Sequence, residues 1–227
     1  MSKITNGSSV QPLSAGRPKQ LVLLLHGYGS NGADLITLAP SWQRVLPDAL
    51  FLAPNAPQRC GMAAGYQWWG LNAFTPQALA AGAAAAAPPI DAFIDKKLDQ
   101  YGLTEGDIAL VGFSQGTMMA LHIGLRRNRQ VAAIVGYSGM LTGEATLSRE
   151  AVVKPPVLLV HGSADSIVPV GALHAAKGGL ERLGIAVTTH VSNDLGHSVD
   201  QIGLSLGGDF IARALGARAD ASRAKTN

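Results

Sequence analysis

Ser114 lies in a Gly-x-Ser-x-Gly pattern, Gly112-Phe113-Ser114-Gln115-Gly116. The apolar residues 108–111 before it are typical of a buried strand, and residues 117–123 after it are typical of a helix. The pattern therefore indicates a nucleophile elbow, a turn so sharp that the positions two before and two after the serine must lack a Cβ. Such a turn holds the hydroxyl over a helix N-terminus, whose amides favour developing negative charge. Because glycine supplies 27 of the 227 residues, the pattern could arise by chance. Whether Ser114 is a nucleophile therefore depends on finding a matching base and acid elsewhere in the chain.

A serine hydroxyl needs a base to take its proton and an acid to orient that base. In parallel sheets such groups gather beyond the carboxyl ends of the strands. Asp165 follows the strand-like residues 157–161, and His197 follows the strand-like residues 186–191. The order Ser, Asp, His is that of an α/β-hydrolase. We therefore predict Ser114 as nucleophile, Asp165 as orienting acid and His197 as base.

Both the acid and the base have competitors. Asp165 also suits the cap of the helix that begins near Val170, and Asp194 is close to His197 in sequence and is kept as a rival orienting acid. Only His197 among the histidines follows the other candidates in a strand-exit loop. The remaining histidines are better explained by packing, surface or loop-supporting roles: His26, His122, His161, His174 and His190.

A tetrahedral oxyanion needs two backbone donors. One is the N–H of the residue after the nucleophile, Gln115. The other is expected from the glycine-rich loop after the first buried strand, His26-Gly27-Tyr28-Gly29. We assign it to the N–H of Tyr28, because the flanking glycines allow the backbone to approach closely.

A long loop over residues 54–76 shows neither helical nor strand periodicity and contains two adjacent tryptophans. Long loops inside compact domains are usually functional or disordered, and the tryptophans argue against disorder. Aromatic side chains suit core packing and a pocket wall about equally. The substrate-binding residues that we predict lie in this loop or in strand-exit loops: Trp68, Trp69, Leu71, Met140 and Val168.

Six strand-like runs, most of them uniformly apolar, alternate with helical patterns, which predicts an α/β fold with a mostly parallel sheet and helices on both faces. The runs are residues 21–25, 50–53, 108–112, 132–136, 157–161 and 186–191, the second ending at Pro54. We divide the chain into a tail or edge strand at 1–18, one domain at 19–216 and a tail at 217–227.

Helices are predicted around these strands. The alanine-rich residues 80–87 and the apolar positions up to Tyr101 predict one helix broken at Pro88-Pro89, or two helices in sequence. A capping box of Ser198 and Gln201 opens the final helix, and Gly207-Gly208 is expected to break it. Further helices are predicted over residues 34–45, from the elbow to 127, and over 169–183.

Composition excludes several classes of protein. The chain is 47% hydrophobic and 15% charged, which is ordinary for a globular enzyme, and its net charge of +3 is too small to indicate nucleic-acid binding. The one cysteine, Cys60, cannot form an internal disulfide. Since the sequence shows neither an apolar leader nor a membrane-spanning run, we expect a cytoplasmic protein, with a homodimer as the candidate assembly.

The strand-exit segments of this sequence, including the serine elbow, resemble those of the phospholipase/carboxylesterase family. That family includes acyl-protein thioesterases and small bacterial carboxylesterases. The resemblance covers about residues 20–215 and rests on five segments: Leu25 to Gly29, Gly112 to Gly116, Tyr137 to Gly139, His161-Gly162 with Asp165 to Pro169, and Leu195 to His197. It implies an α/β-hydrolase fold without a large cap domain and the same Ser114, Asp165 and His197 triad. It also implies Tyr28 and Gln115 as oxyanion donors, and hydrolysis of small-molecule esters or thioesters without cofactor or metal.

The sequence departs from the family pattern at two places. Trp68-Trp69-Gly70 stands where relatives often have Trp, Phe and an acidic residue, and Ser30-Asn31 stands where acyl-protein thioesterases tend to have Asp-Thr. The second departure favours the bacterial esterases. Other reactions on this fold, such as those of a lyase, perhydrolase or C–C hydrolase, stay open, and a non-catalytic binding protein is less favoured because no triad member is missing.

Overall fold

The computed structural model describes residues 4–150 and 153–226, and strands alternate with helices along this part of the chain. The strands are β1 (Thr5–Val10), β2 (Gln20–Leu25), β3 (Ala49–Asn55), β4 (Gln58–Arg59), β5 (Tyr66–Gln67), β6 (Ile108–Phe113), β7 (Ala133–Tyr137), β8 (Val157–Gly162) and β9 (Val187–Ser192). The helices are α1 (Gly32–Leu35), α2 (Ala39–Trp42), α3 (Pro76–Tyr101), α4 (Gln115–Gly124), α5 (Glu144–Glu150), α6 (Gly171–Arg182) and α7 (Gln201–Thr226). Turns of 3₁₀ helix lie at Ile36–Leu38 and Glu105–Asp107.

The central sheet of the described residues has seven strands in the order β1-β3-β2-β6-β7-β8-β9. Edge strand β1 is antiparallel to β3. All other neighbours are parallel. The six predicted strand-like runs are the six parallel strands, which confirms the mostly parallel sheet.

Helices cover both faces of the sheet because its strands are apolar on both sides. In β2, the alternate residues Leu21 and Leu23 pack with α3 to α6, whereas Val22 and Leu24 pack with α2 and α7. All four side chains are at most 1% exposed. Burying a side chain of this size contributes about 2 kcal/mol, so the two layers together fix the position of each strand.

The direction of strand order changes between β2 and β6. From β2 the chain goes outward to β3 and then returns to β6, on the other side of β2. Leu25 is paired with Gly112 across these two strands. The loop after β2 and the turn after β6 therefore leave the sheet side by side, at the kind of switch point where sites form in open α/β sheets.

Helix α3 runs without a break from Pro76 to Tyr101, so the interruption predicted at Pro88-Pro89 is wrong. Each proline removes one hydrogen bond to the carbonyl four residues earlier. Those carbonyls belong to Ala84 and Ala85, which are exposed, so water can bind them. Buried residues on both sides of the prolines, such as Ala83 and Ile90, hold the helix on the sheet.

Helix α7 is also continuous, from Gln201 to Thr226, so it crosses residue 216. The break predicted at Gly207-Gly208 is wrong, because these glycines are positions of close approach. A Cβ on Gly207 would lie 1.9 Å from Tyr137 Oη, and one on Gly208 would lie 2.5 Å from Trp42 Cδ1. The N-terminal capping of α7 also differs from the predicted box of Ser198 and Gln201. The Asp200 carboxylate accepts the Gly203 N–H at 2.7 Å.

Three smaller differences concern the first half of the chain. The helix predicted over residues 34–45 is split into α1, a 3₁₀ turn and α2. Strand β3 continues through Pro54 to Asn55, because its pairing with β1 is irregular at that point and does not require a proline N–H. The loop over residues 54–76 contains the β4–β5 hairpin. Within the described residues, no helix has the length and apolar character needed to cross a membrane.

Candidate active site

Ser114 is the residue between the last position of β6 and the first of α4, and its backbone is strained. Its φ of 53° and ψ of −115° are outside the regions that a residue with a side chain favours. The surrounding structure holds this conformation: the Ser114 N–H donates to Tyr137 O at 2.9 Å. Thr117 Oγ1 lies 2.8 Å from the carbonyl oxygens of both Gly112 and Tyr137. β6, β7 and α4 therefore define the turn together.

The two glycines of the motif are required sterically. A Cβ on Gly112 would lie 2.3 Å from the Gly116 carbonyl carbon, and a Cβ on Gly116 would lie 1.7 Å from Leu25 O. A third glycine, Gly139 after β7, would place a Cβ 2.9 Å from Ser114 O. Sequence reasoning explained the first two and missed the steric role of Gly139, whose contact partners lie in the elbow and α4, more than 20 positions away along the chain.

Asp165 and His197 come together from the exits of β8 and β9. Asp165 Oδ2 lies 2.7 Å from His197 Nδ1. Its other oxygen accepts the N–H groups of Ile167 and Val168, each at 2.9 Å. Burial opposes the charge of Asp165, but the hydrogen bonds from His197, Val168 and Ile167 outweigh it and lower the pKa of the carboxyl. The arrangement is that of an ionised carboxylate orienting an imidazole.

Asp194, the rival acid, does not contact His197 through any hydrogen bond among the described residues. It is exposed, its φ is 56°, and its N–H donates to Ser163 Oγ at 2.8 Å. A second histidine, His161, also lies beside Asp165. His161 Nε2 donates to Val168 O at 2.7 Å and lies 3.3 Å from Asp165 Oδ2.

The imidazole of His197 lies next to the elbow. Its ring centroid is 4.9 Å from that of Phe113, the residue before Ser114. Its side chain is 19% exposed, whereas that of Asp165 is fully buried. The hydrogen bonds of the described residues do not include one between Ser114 and His197, and in free enzymes such contacts often tighten only when substrate binds.

The backbone donors predicted for an oxyanion are available. Among the described residues, the N–H groups of Tyr28 and Gln115 donate to no backbone or side-chain acceptor. Gly27 brings the first of these segments to the elbow, because a Cβ on it would lie 3.4 Å from Ser114 Cβ. The N–H of Gln115 is at the N-terminus of α4, where the helix dipole favours negative charge.

This fold and this geometry can be compared with those of known proteins. A family model described as phospholipase/carboxylesterase matches residues 7–215. The chain belongs to the phospholipase/carboxylesterase family. Membership confirms the resemblance found in the sequence, and it makes the protein a carboxylic ester hydrolase with an α/β-hydrolase fold.

Individual proteins that are similar to this chain are esterases or thioesterases. The crystal structure of esterase PE8 is 43% identical, with a TM-score of 0.88 over 93% of this chain and 99% of that one. Esterase YpfH of Escherichia coli K12 is 28% identical over 182 residues, 80% of this chain and 77% of the relative. Acyl-protein thioesterase 1 of Neurospora crassa is 27% identical over 233 residues, 94% of each chain.

The residues predicted to bind substrate in this family member are partly or fully buried. Trp68 is 1% exposed and Trp69 is 7% exposed, so both belong to the core beside the elbow. Leu71 and Met140 are half-buried and pack against the same core. The Val168 side chain is buried, and its backbone supports Asp165 and His161.

Sequence reasoning missed Gly82, which shapes this region, whereas it expected the loop-supporting role that His26 has in the structure. Gly82 of α3 allows the Trp69 ring to approach, because a Cβ there would lie 2.2 Å from Trp69 Cδ1. His26, which is fully buried, accepts the Ala56 N–H at Nε2 and donates from Nδ1 to Gly27 O. Burial is the main reason that the pKa of His26 is lowered, which suits a neutral ring that accepts at one nitrogen.

Proposed function

We propose that the protein hydrolyses carboxylic esters through an acyl-enzyme formed on Ser114. His197 takes the Ser114 proton as the hydroxyl attacks the ester carbonyl, and then returns it to the departing alcohol. In the second half, His197 activates a water molecule that releases the acid and regenerates Ser114. Asp165 holds the imidazole in the tautomer that this cycle needs. The N–H groups of Tyr28 and Gln115 bind the oxyanion in both halves.

One observation supports this proposal above the others. The Asp165–His197 pair, 2.7 Å apart, comes from residues 32 positions apart in the chain and lies against the strained elbow of Ser114. A structural histidine has no need of a buried carboxylate on one nitrogen or of a position beside a strained serine turn. The combination fits nucleophilic catalysis.

Removing the nucleophile tests the proposal directly. We expect Ser114→Ala to lower turnover of p-nitrophenyl acetate by several orders of magnitude, roughly 10⁴-fold or more. The exposed Ser166→Ala variant, in the loop of Asp165, is a matched control that should keep full activity. A fluorophosphonate probe should label the wild type at Ser114. Near wild-type turnover by Ser114→Ala, or a wild type that does not react with the probe, contradicts the mechanism and favours a different reaction or a non-catalytic scaffold.

Thioesters are a second class of substrate, supported by the similarity to acyl-protein thioesterase 1 of Neurospora crassa. The same triad and oxyanion donors serve both classes, since only the leaving group differs. Matched O-acyl and S-acyl substrates, from acetyl to palmitoyl, would separate them by kcat/KM. A panel that adds perhydrolysis and C–C cleavage tests the remaining alternatives, and light scattering tests the predicted homodimer.

A further inference from the structure

The side chain of Gln115 has hydrogen bonds at both ends of its amide, and both go to the tryptophan segment. Oε1 accepts the Trp68 N–H at 3.0 Å. Nε2 donates to Trp69 O at 2.9 Å. Gln115 is 1% exposed, and 47 residues separate it from Trp68. The residue after the nucleophile therefore holds a distant loop through a buried carboxamide that is hydrogen-bonded at both its oxygen and its nitrogen.

Trp68 continues this connection to the other side of the site. Its indole Nε1–H donates to His26 O at 2.8 Å, and the two rings lie 5.2 Å apart. His26 directly precedes the Gly27-Tyr28 segment and is itself fixed to Gly27 O and to the Ala56 N–H. The resulting chain of hydrogen bonds runs from Gln115 through Trp68 to His26.

This chain joins the two segments that supply the oxyanion donors. The N–H of Gln115 lies at the start of α4 and that of Tyr28 in the loop after β2, and an oxyanion must be within about 2.7–3.1 Å of both. Displacing one donor by about 1 Å can cost on the order of 100-fold in rate. Hydrogen bonds between buried groups are strong enough to set such a position, and costly to leave unmade.

We propose that the Gln115 carboxamide is a positioning residue, which fixes Trp68 and thereby the Tyr28 donor relative to the elbow. This inference rests on the proposed Ser114 mechanism. Gln115 then has two separate roles: its backbone N–H contacts the oxyanion, and its side chain aligns the second donor. Every substitution except proline keeps the backbone N–H, so a side-chain substitution tests the second role without removing the first.

The first test replaces Gln115 by Met, which has a similar length but makes neither hydrogen bond. We expect kcat for p-nitrophenyl acetate to fall about tenfold to 100-fold, with KM changed by less than about threefold, because the lost alignment acts in the transition state. Gln67→Met, in the same loop, is the matched control: Gln67 bonds only the Gln58 side chain at 3.2 Å, and its loss should leave kcat unchanged. A kcat within twofold of wild type, or a change confined to KM, overturns the inference.

The second test uses Gln115→Glu and stays informative where the Met variant does not fold. A protonated carboxyl can donate to Trp69 O and accept from Trp68 N–H, whereas a carboxylate can only accept. Burial raises the pKa of a carboxyl, so this group should titrate well above its ordinary range. The concentration of active sites in each protein is first titrated with fluorophosphonate, and kcat is expressed per active site. We then expect the kcat of the variant, divided by that of the wild type, to rise severalfold as the pH falls from 8 to 5.5. A ratio that does not change with pH overturns the inference. Labelling of the wild type at Ser114 keeps this outcome separate from a failure of the proposed function.

Discussion

Asp165 is held by its own loop as well as by His197. The N–H groups of Ile167 and Val168 occupy one carboxylate oxygen, which leaves the other for His197 Nδ1. Asp194, although only three residues from His197, has a backbone with a φ of 56° and an exposed side chain. At the scale of single residues, which carboxylate reaches His197 therefore follows from where the side chain can point and not from distance along the chain.

Replacing each carboxylate by its amide separates the two acids. Asp165→Asn keeps an oxygen for Ile167 and Val168, but its NH₂ group favours the wrong tautomer of His197. We expect kcat/KM for p-nitrophenyl acetate to fall roughly 10³- to 10⁴-fold. Asp194→Asn is a matched control, because Asn tolerates a positive φ, and it should stay within about twofold of wild type. A larger loss in the Asp194 variant would reverse the assignment.

The position of helix α7 against the sheet depends on glycines, although glycine is a poor helix former. Gly203 and Gly207 are one turn apart and face Val160 and Tyr137, where a Cβ would lie 2.7 Å from Val160 Cγ1 and 1.9 Å from Tyr137 Oη. Tyr137 Oη donates to Gly203 O at 3.2 Å, and Trp42 Nε1 donates to Leu204 O at 2.8 Å. The glycines lower helix propensity but let α7 lie close to the sheet.

Two alanine substitutions in α7 should have opposite effects. Gly207→Ala forces Tyr137 or the helix to move, so we expect the free energy of unfolding to fall by about 1–3 kcal/mol. Gly216→Ala has no described heavy atom within 4 Å and should raise the free energy of unfolding by up to about 1 kcal/mol. Urea unfolding at neutral pH measures both. A Gly207→Ala protein as stable as wild type would mean that close approach does not explain the glycine.

For the molecule as a whole, α4 is the helix on which the elbow depends, and it contains a buried histidine. His122 is 7% exposed, and its Nδ1 has no hydrogen-bond partner among the described residues. Burial, followed by the charge of Arg126, lowers the pKa of His122 to about 4, although Glu150 opposes this. The folded protein therefore takes up this proton only in acid, whereas the unfolded chain takes it up near pH 6.5.

This difference in proton binding predicts how stability changes with pH. Between pH 6.5 and pH 4 the unfolded state binds more protons at His122, so the free energy of unfolding falls as the pH falls. We expect a loss on the order of 1–2 kcal/mol between pH 7.5 and pH 5 in urea titrations. His122→Gln should reduce this slope, whereas the exposed His174→Gln should not. An unchanged slope in His122→Gln would show that His122 does not cause the acid sensitivity.

The sequence alone determined the parts of this protein that depend on local sterics and periodicity. Strand-like runs, most of them uniformly apolar, predicted six parallel strands, and the glycine spacing around Ser114 predicted a turn whose Cβ positions are indeed occupied by neighbouring backbone. The order of Ser114, Asp165 and His197 placed all three at the carboxyl edge of the sheet. Each of these inferences needs only neighbouring residues and the general rules of parallel sheets.

Only the tertiary structure decided how distant segments meet. It paired His197 with Asp165 and not with Asp194, gave the Gln115 side chain its partners in Trp68 and Trp69, and carried α3 and α7 through prolines and glycines that predict breaks. The physical reason is that these outcomes depend on packing and hydrogen bonds between residues tens of positions apart. Such contacts can outweigh a local cost of about 1 kcal/mol for a glycine or about 3 kcal/mol for a proline in a helix, and no local pattern records them.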